Sequence, residues 1–217
     1  MATRHVRPRA APAQARSRAT MDHLLETALA LLEEVGAERF NTNLLAERAQ
    51  VSVRAIYRYF PNKIALLVAL AERVAEWERA WIGDLSRAPP EHDWRGVIRQ
   101  AVRGYYEAAS ARRGVAALRA AMQVIPELRA TEEAASARHQ ADLAEGLARL
   151  GLDLPRDRLA TVSQTIIEAA SRLLDVALFS PPDHAEALLD ELSRMLTAYV
   201  ADLLAQPAAV PPTAPAA

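Results

Sequence analysis

The sequence predicts an all-α protein of about nine helices, and three observations carry that expectation. The chain is rich in Ala, Leu, Arg and Glu, all strong helix formers, and holds only 7 glycines among 217 residues. Apolar residues recur at i, i+3, i+4 and i+7 in one segment after another. No stretch shows the period-two alternation that a half-buried strand requires.

Taken in order, residues 1–17 are basic, Pro- and Ala-rich and without apolar periodicity, which predicts a mobile arm. From Ser17, the apolar set Leu24, Leu25, Ala28, Leu31, Leu32 and Val35 marks one buried helical face, with Gly36 placed to end the helix. Two short helices follow, Thr42 to Ala49 and Val53 to Tyr59, with only Gln50, Val51 and Ser52 between them. Pro61 disfavours helix at Phe60 and can serve as the first residue of the next helix, which is expected to run to about Gly83. Its inward residues are Ile64, Leu67, Val68, Ala71, Val74 and Ala75. After a loop at 86–93, further helices are expected at 93–111, 114–123, 126–149, 156–179 and 183–205, punctuated by Gly151, Pro155 and Pro181-Pro182. Residues 207–217 read as a disordered tail.

Composition narrows the function. With 51% hydrophobic and 24% charged residues the chain is globular, and with no cysteine it can form neither a disulfide nor a thiolate metal site. The basic N-terminus lacks the apolar core of a signal peptide, and acidic residues interrupt every apolar run, so a cytoplasmic location is expected. The net charge of −1 conceals an asymmetry: residues 1–63 sum to +4 and the remainder to −5, an arrangement suited to one end meeting a polyanion. The five histidines are scattered, and there is no HExxH, GxSxG or phosphate-binding glycine loop, so neither enzyme activity, a metal nor a cofactor is expected.

The informative segment is FNTNLLAERAQVSVRAIYRYFPNK, Phe40 to Lys63. Asn41 or Thr42 can cap the first short helix and Ser52 the second. Leu44, Leu45, Ala49 and Val51 would pin the pair together, with Ile56 and Phe60 packed beneath. Arg54 and Arg58, at i and i+4, are left on an exposed face, where they offer forked donors for guanine edges and charge for phosphates. Lys63 is the sole lysine, and it stands in a helix's first turn against the helix dipole. That placement makes sense if lysine and helix N-terminus together face a phosphate.

These marks resemble the TetR family of bacterial repressors: Gly36 after an amphipathic helix, Thr42-Asn43-x-Leu45-Ala46-x-x-Ala49, Val51-Ser52, Ile56-Tyr57-x-Tyr59-Phe60 and Pro61-Asn62-Lys63. The sequence resemblance covers residues 18–78, and the helical layout extends it to the whole chain. It implies a three-helix helix-turn-helix DNA-binding domain at 18–78, with the motif at 41–60, and a helical effector-binding and dimerisation domain at 79–206. It turns Val53, Arg54 and Ala55 towards bases and sets Thr42, Tyr57, Tyr59 and Lys63 towards the DNA backbone, with Asn43 and Arg58 completing the contact set. Two residues depart from the family's pattern. Gln50 stands where a glycine is usual, so the turn must either strain or tolerate a non-glycine residue with positive φ, and the Val53-Arg54-Ala55 triplet leaves the operator sequence open.

The stripe Leu159, Val162, Ile166, Ala170, Leu173 and Ala177, and the broad face from Leu188 to Leu204, exceed what a small bundle buries. A central core helix or a partner chain would cover them. The resemblance favours a homodimer through helices 156–179 and 183–205, on a palindromic double-stranded operator. It also implies an effector pocket, for which Trp77, Trp81, Tyr105, Tyr106, Met122, Gln123, Gln164 and Glu168 are the candidates. Their chemistry suits a lipophilic small molecule. Two other readings fit the residues: a helical enzyme or carrier with an incidental helix-turn-helix, and a DNA-bending or effector-free regulator. A convergent acid/base or metal set would mark the former. The latter would lack a polar-lined cavity among the helices of 64–179.

Overall fold

The computed structural model describes residues 15–86 and 93–206, with side chains described at 17–80 and 93–206. The expected arm before Ala15, the loop at 87–92 and the tail at 207–217 lie outside the described residues. The described chain is helical, in the order α1 (Ala15–Arg39), α2 (Thr42–Arg48), α3 (Val53–Tyr59), α4 (Lys63–Ser86), α5 (Trp94–Ser110), α6 (Val115–Val124), α7 (Pro126–Arg149), α8 (Arg156–Leu178) and α9 (Pro182–Ala205). Among the described residues, no helix is long and apolar enough to cross a membrane.

The chain divides into two compact units, Met1–Arg79 with Glu107–Ala135, and Ala80–Tyr106 with Ser136–Ala217. In the first unit, α1 buries Leu24, Leu25, Ala28, Leu31 and Leu32, and α4 buries Ala65 to Ala71 almost without interruption. Packing on more than one side explains that run, since a helix apolar around most of its girth must be central. Gly36 has φ 72 and ψ 168, so the long helix breaks there as its sequence suggests, and a further turn runs on to Arg39. The Phe40 amide bonds back to the Gly36 carbonyl, at 3.1 Å.

Helix α6 lies against α1. Gly114, its N-cap with φ 81, sits so close to Leu29 that a Cβ there would overlap the Leu29 carbonyl oxygen. Arg113 adds bonds to Glu33 and Glu34 across the same seam. Arg119 on α6 meets Glu78 on α4 at 2.6 Å, both side chains nearly buried, with Glu132 of α7 at 4.0 Å from the same guanidinium. The Arg112 guanidinium lies 4.5 Å over the Trp77 ring.

In the second unit α8 packs on α9. Ala185, Leu189, Leu192, Leu196, Val200 and Leu203 are the buried stripe of α9, facing Val162, Ile166, Ile167, Leu174 and Ala177 of α8. Arg103 on α5 clasps Glu186 and Asp190, one turn apart on α9, each at 2.6 Å. Phe179 and Met195 remain exposed on these elements.

Candidate nucleic-acid interface

Two helices of seven residues are each too short to persist alone, so their ends and undersides must hold them. The Asn41 side chain accepts from the amides of Asn43 and Leu44, both at 3.0 Å, and the Ser52 hydroxyl accepts from the Ala55 amide at 3.2 Å. Each cap contributes about 1 kcal/mol. Leu45, Ala49, Ile56 and Phe60 are buried as expected, while Leu44 and Val51 are half-buried. Gln50 has φ 54, the left-handed geometry that its place in the turn demands. From beneath, His23 Nε2 lies 3.3 Å from the Ala49 carbonyl oxygen. Arg48 grips Glu34 with both guanidinium nitrogens, at 2.9 and 2.7 Å, tying α2 to α1. The Arg48 bond holds the Glu34 carboxyl below the usual carboxylate range.

On the outer side Asn43, Arg54, Tyr57 and Arg58 are exposed, with Val53 and Ala55 half-buried at the start of α3. Thr42 is buried, and its hydroxyl lies 3.3 Å from that of Tyr57, so this pair holds the faces of α2 and α3 in register. Tyr59 differs from its expected place at the DNA backbone: it is 6% exposed, with its ring in the core. Its hydroxyl meets Ser17 at 3.1 Å and accepts from Arg58 at 2.5 Å. These bonds, Ser17's first, lower the phenol's pKa. Tyr59 therefore acts by positioning Arg58, whose guanidinium lies 4.8 Å from the ring centroid.

Lys63 opens α4, so Pro61 precedes the helix instead of starting it. The cap is Asn62, whose side chain accepts from the Ala65 amide at 2.8 Å. An Asn just ahead of an apolar run is a sequence-level cap signal, and it would have located this boundary. The Lys63 ammonium donates to the Ala37 carbonyl oxygen at 2.6 Å and lies 6.0 Å from the Phe40 ring centroid. The turn after the Gly36 kink thus fixes the lysine in place. Neither the Arg48–Glu34 grip nor the Ser17–Tyr59 contact was visible in the sequence, because each joins residues 14 or 42 positions apart.

The effector candidates fall in both units: Trp77, Met122 and Gln123 in the first, and Trp81, Tyr105, Tyr106, Gln164 and Glu168 in the second. Trp81 lies beyond the described side chains. Tyr105 is buried, Trp77, Tyr106 and Met122 are half-buried, and Gln123, Gln164 and Glu168 are exposed. Glu168 accepts from Ser136 at 2.9 Å and from Gln140 at 3.4 Å, linking α8 to α7. Among the described residues, no group of His, Cys, Asp and Glu could hold a metal ion.

Capped, mutually packed short helices near the N-terminus, with arginines outward on the second, define an all-α protein carrying a helix-turn-helix head. Residues 24–70 match the family model of bacterial regulatory proteins, tetR family, and residues 93–199 match that of the tetracyclin repressor-like C-terminal domain. The chain belongs to the TetR family. The tetracycline repressor protein class C of Escherichia coli is 40% identical over 76 residues, 35% of this chain and 33% of that protein. The HTH-type transcriptional repressor KstR of Rhodococcus jostii (strain RHA1) is 42% identical over 67 residues, 31% of this chain and 30% of that one. The matched stretches thus span about a third of the length of these curated relatives. A crystal structure of a TetR-family transcriptional regulator from Streptomyces coelicolor superposes with a TM-score of 0.68 at 26% identity, covering 87% of this chain and 99% of that one.

Proposed function

We propose that the protein is a transcriptional repressor that binds a palindromic operator as a homodimer and releases it when a small lipophilic effector binds. One observation carries this reading. Arg54 and Arg58 stand exposed at i and i+4 on a helix held by a cap, a buried underside and a cross-brace to α1, and its partner α2 is itself braced to α1. An unsupported surface helix needs no such bracing, whereas a helix that must present forked donors to base edges in the major groove does. In this reading Val53, Arg54 and Ala55 meet bases, Asn43, Tyr57 and Arg58 meet the backbone, and the buried Thr42 holds the Tyr57 hydroxyl in place. Lys63 carries three donors, one of them engaged by Ala37, and turns the others to a phosphate. The dimer forms through α8 and α9, and a palindromic operator offers its two half-sites one helical turn apart to the two copies of α3.

Release follows from the ties along α4. Lys63 sits at its start, while Trp77 and Glu78 bind Arg112 and Arg119. A ligand that displaces α6 pulls on α4 and so on the lysine. Anisotropy with the gene's own upstream DNA tests the reading. Tight binding to one inverted repeat, weakened by an effector, is the expected result. Binding without sequence preference, or none at low salt, overturns it.

A further inference from the structure

Arg54 and Arg58 share the outer face of α3, one turn apart, but they are held differently. The Arg58 guanidinium donates to the Tyr59 hydroxyl at 2.5 Å and lies 4.8 Å from the centroid of that ring, and Ser17 of α1 anchors the same hydroxyl at 3.1 Å. Tyr57 is committed to Thr42 at 3.3 Å, and Lys63 to Ala37 at 2.6 Å. Arg54 is exposed, and among the described residues nothing bonds to its guanidinium. Its neighbours in the chain, Val53 and Ala55, are half-buried and end in methyl groups, with no polar atom on either side chain.

We infer that each operator half-site carries a guanine read in the major groove by Arg54, with a thymine beside it against the methyl groups of Val53 or Ala55, and that Arg58 adds no base preference. The inference rests on the DNA-binding reading and names the bases which that reading leaves open. An uncommitted guanidinium presents two parallel N–H donors, and guanine is the base whose major-groove edge holds two adjacent acceptors, O6 and N7. Adenine sets an amino donor beside its N7, so one arm of the fork would meet a donor there. Arg58 has a donor engaged by Tyr59 and its guanidinium over the ring, so its charge suits a phosphate, which is bound without regard to sequence. Consecutive Cα atoms stand about 3.8 Å apart and stacked base pairs about 3.4 Å, so the residues flanking Arg54 are within reach of the neighbouring base pairs. Methyl carbons gain nothing from the donors and acceptors of a base edge, and thymine is the base that carries a C5-methyl there.

The test uses the full chain and the duplex that it selects from a random pool. Each selected half-site should contain an invariant guanine with a thymine beside it, on either strand. Replacing that guanine by 7-deazaguanine, which lacks the N7 acceptor, should weaken binding by roughly five- to tenfold per half-site. Uracil in place of the thymine removes one methyl group and should weaken it by about three- to fourfold. Arg54→Ala should bind the guanine and 7-deazaguanine duplexes equally, and a second selection with this variant should lose the guanine. Tyr59→Phe keeps the ring, frees Arg58 and should leave the selected bases unchanged. A selected half-site without the guanine, a 7-deazaguanine or uracil duplex bound as tightly as the original, or a 7-deazaguanine penalty as large in Arg54→Ala as in the native chain would overturn the inference and leave the DNA-binding reading standing. A base preference that shifts in Tyr59→Phe does the same. If the native chain selects no duplex at all, the DNA-binding reading falls, and the inference with it.

Discussion

Gln50 shows how a single side chain can carry a stability cost for the sake of a turn. A residue with a Cβ at φ 54 is strained by about 1 kcal/mol. Gln50→Gly should relieve most of that and raise stability by about 0.5–1 kcal/mol in urea unfolding, without altering DNA affinity. Arg54 carries the opposite expectation. Arg54→Ala should leave the melting temperature unchanged, weaken operator binding by about 1–3 kcal/mol and relax preference at one base pair. Lys63 separates into two roles because its ammonium bonds to Ala37. Lys63→Ala should flatten the salt slope by about one unit on every DNA sequence. Lys63→Gln should flatten it equally while keeping a donor for Ala37, so only the alanine variant should also lose stability. The strained turn and the exposed arginines were legible in the sequence. The inward turn of Tyr59 was not, since Tyr57 and Tyr59 are two apart on one short helix and periodicity does not say which enters the core.

Helix boundaries were the most legible feature, because caps and breakers act locally. Asn41 and Ser52 each sit at the start their chemistry predicts, and Pro155 marks the break ahead of α8. What holds one helix to another was hidden, because it depends on approach distance. Gly114 is the clearest case: its positive φ and its closeness to Leu29 leave no room for a methyl group. Gly114→Ala should destabilise the protein by about 2–4 kcal/mol, read as a fall in the urea midpoint. The Glu34–Arg48 grip gives a pH signature. The Glu34 carboxyl has its pKa lowered in the folded state, chiefly by the bond to Arg48. Its contribution is present above the ordinary carboxylate range and is lost as pH falls through the lowered value. Arg48→Gln should therefore abolish part of the acid limb of the stability profile and leave the neutral-to-alkaline part unaltered in shape.

At the scale of the whole molecule the sequence offers a charge asymmetry, a basic N-terminal third ahead of an acidic remainder, and broad apolar faces on the last two helices. Met195 and Phe179 remain exposed in the single chain, on the very elements whose breadth suggested a partner. If the proposed dimer forms through α8 and α9, Met195→Glu should leave each subunit folded and shift that dimer towards monomer by roughly a hundredfold, since a carboxylate would enter that interface unpaired. Sedimentation equilibrium measures the shift, and loss of cooperative binding to the inverted repeat should accompany it. The effector set was the least legible, because aromatic and amide residues on helices serve ordinary packing as readily as a pocket. Gln123, Gln164 and Glu168 turn out to be exposed, and Glu168 is committed to Ser136 and Gln140.

The guanidinium that lies over Trp77 makes the protein its own optical gauge. Indole emission responds to a charge held above the ring, so a motion of the turn that leads into α6, where Arg112 sits, against α4 changes the colour and yield of that tryptophan. With Trp81 and Trp94 replaced by phenylalanine, a spectrometer could follow the release signal in unlabelled protein, in real time, and candidate effectors could be screened before the operator is known.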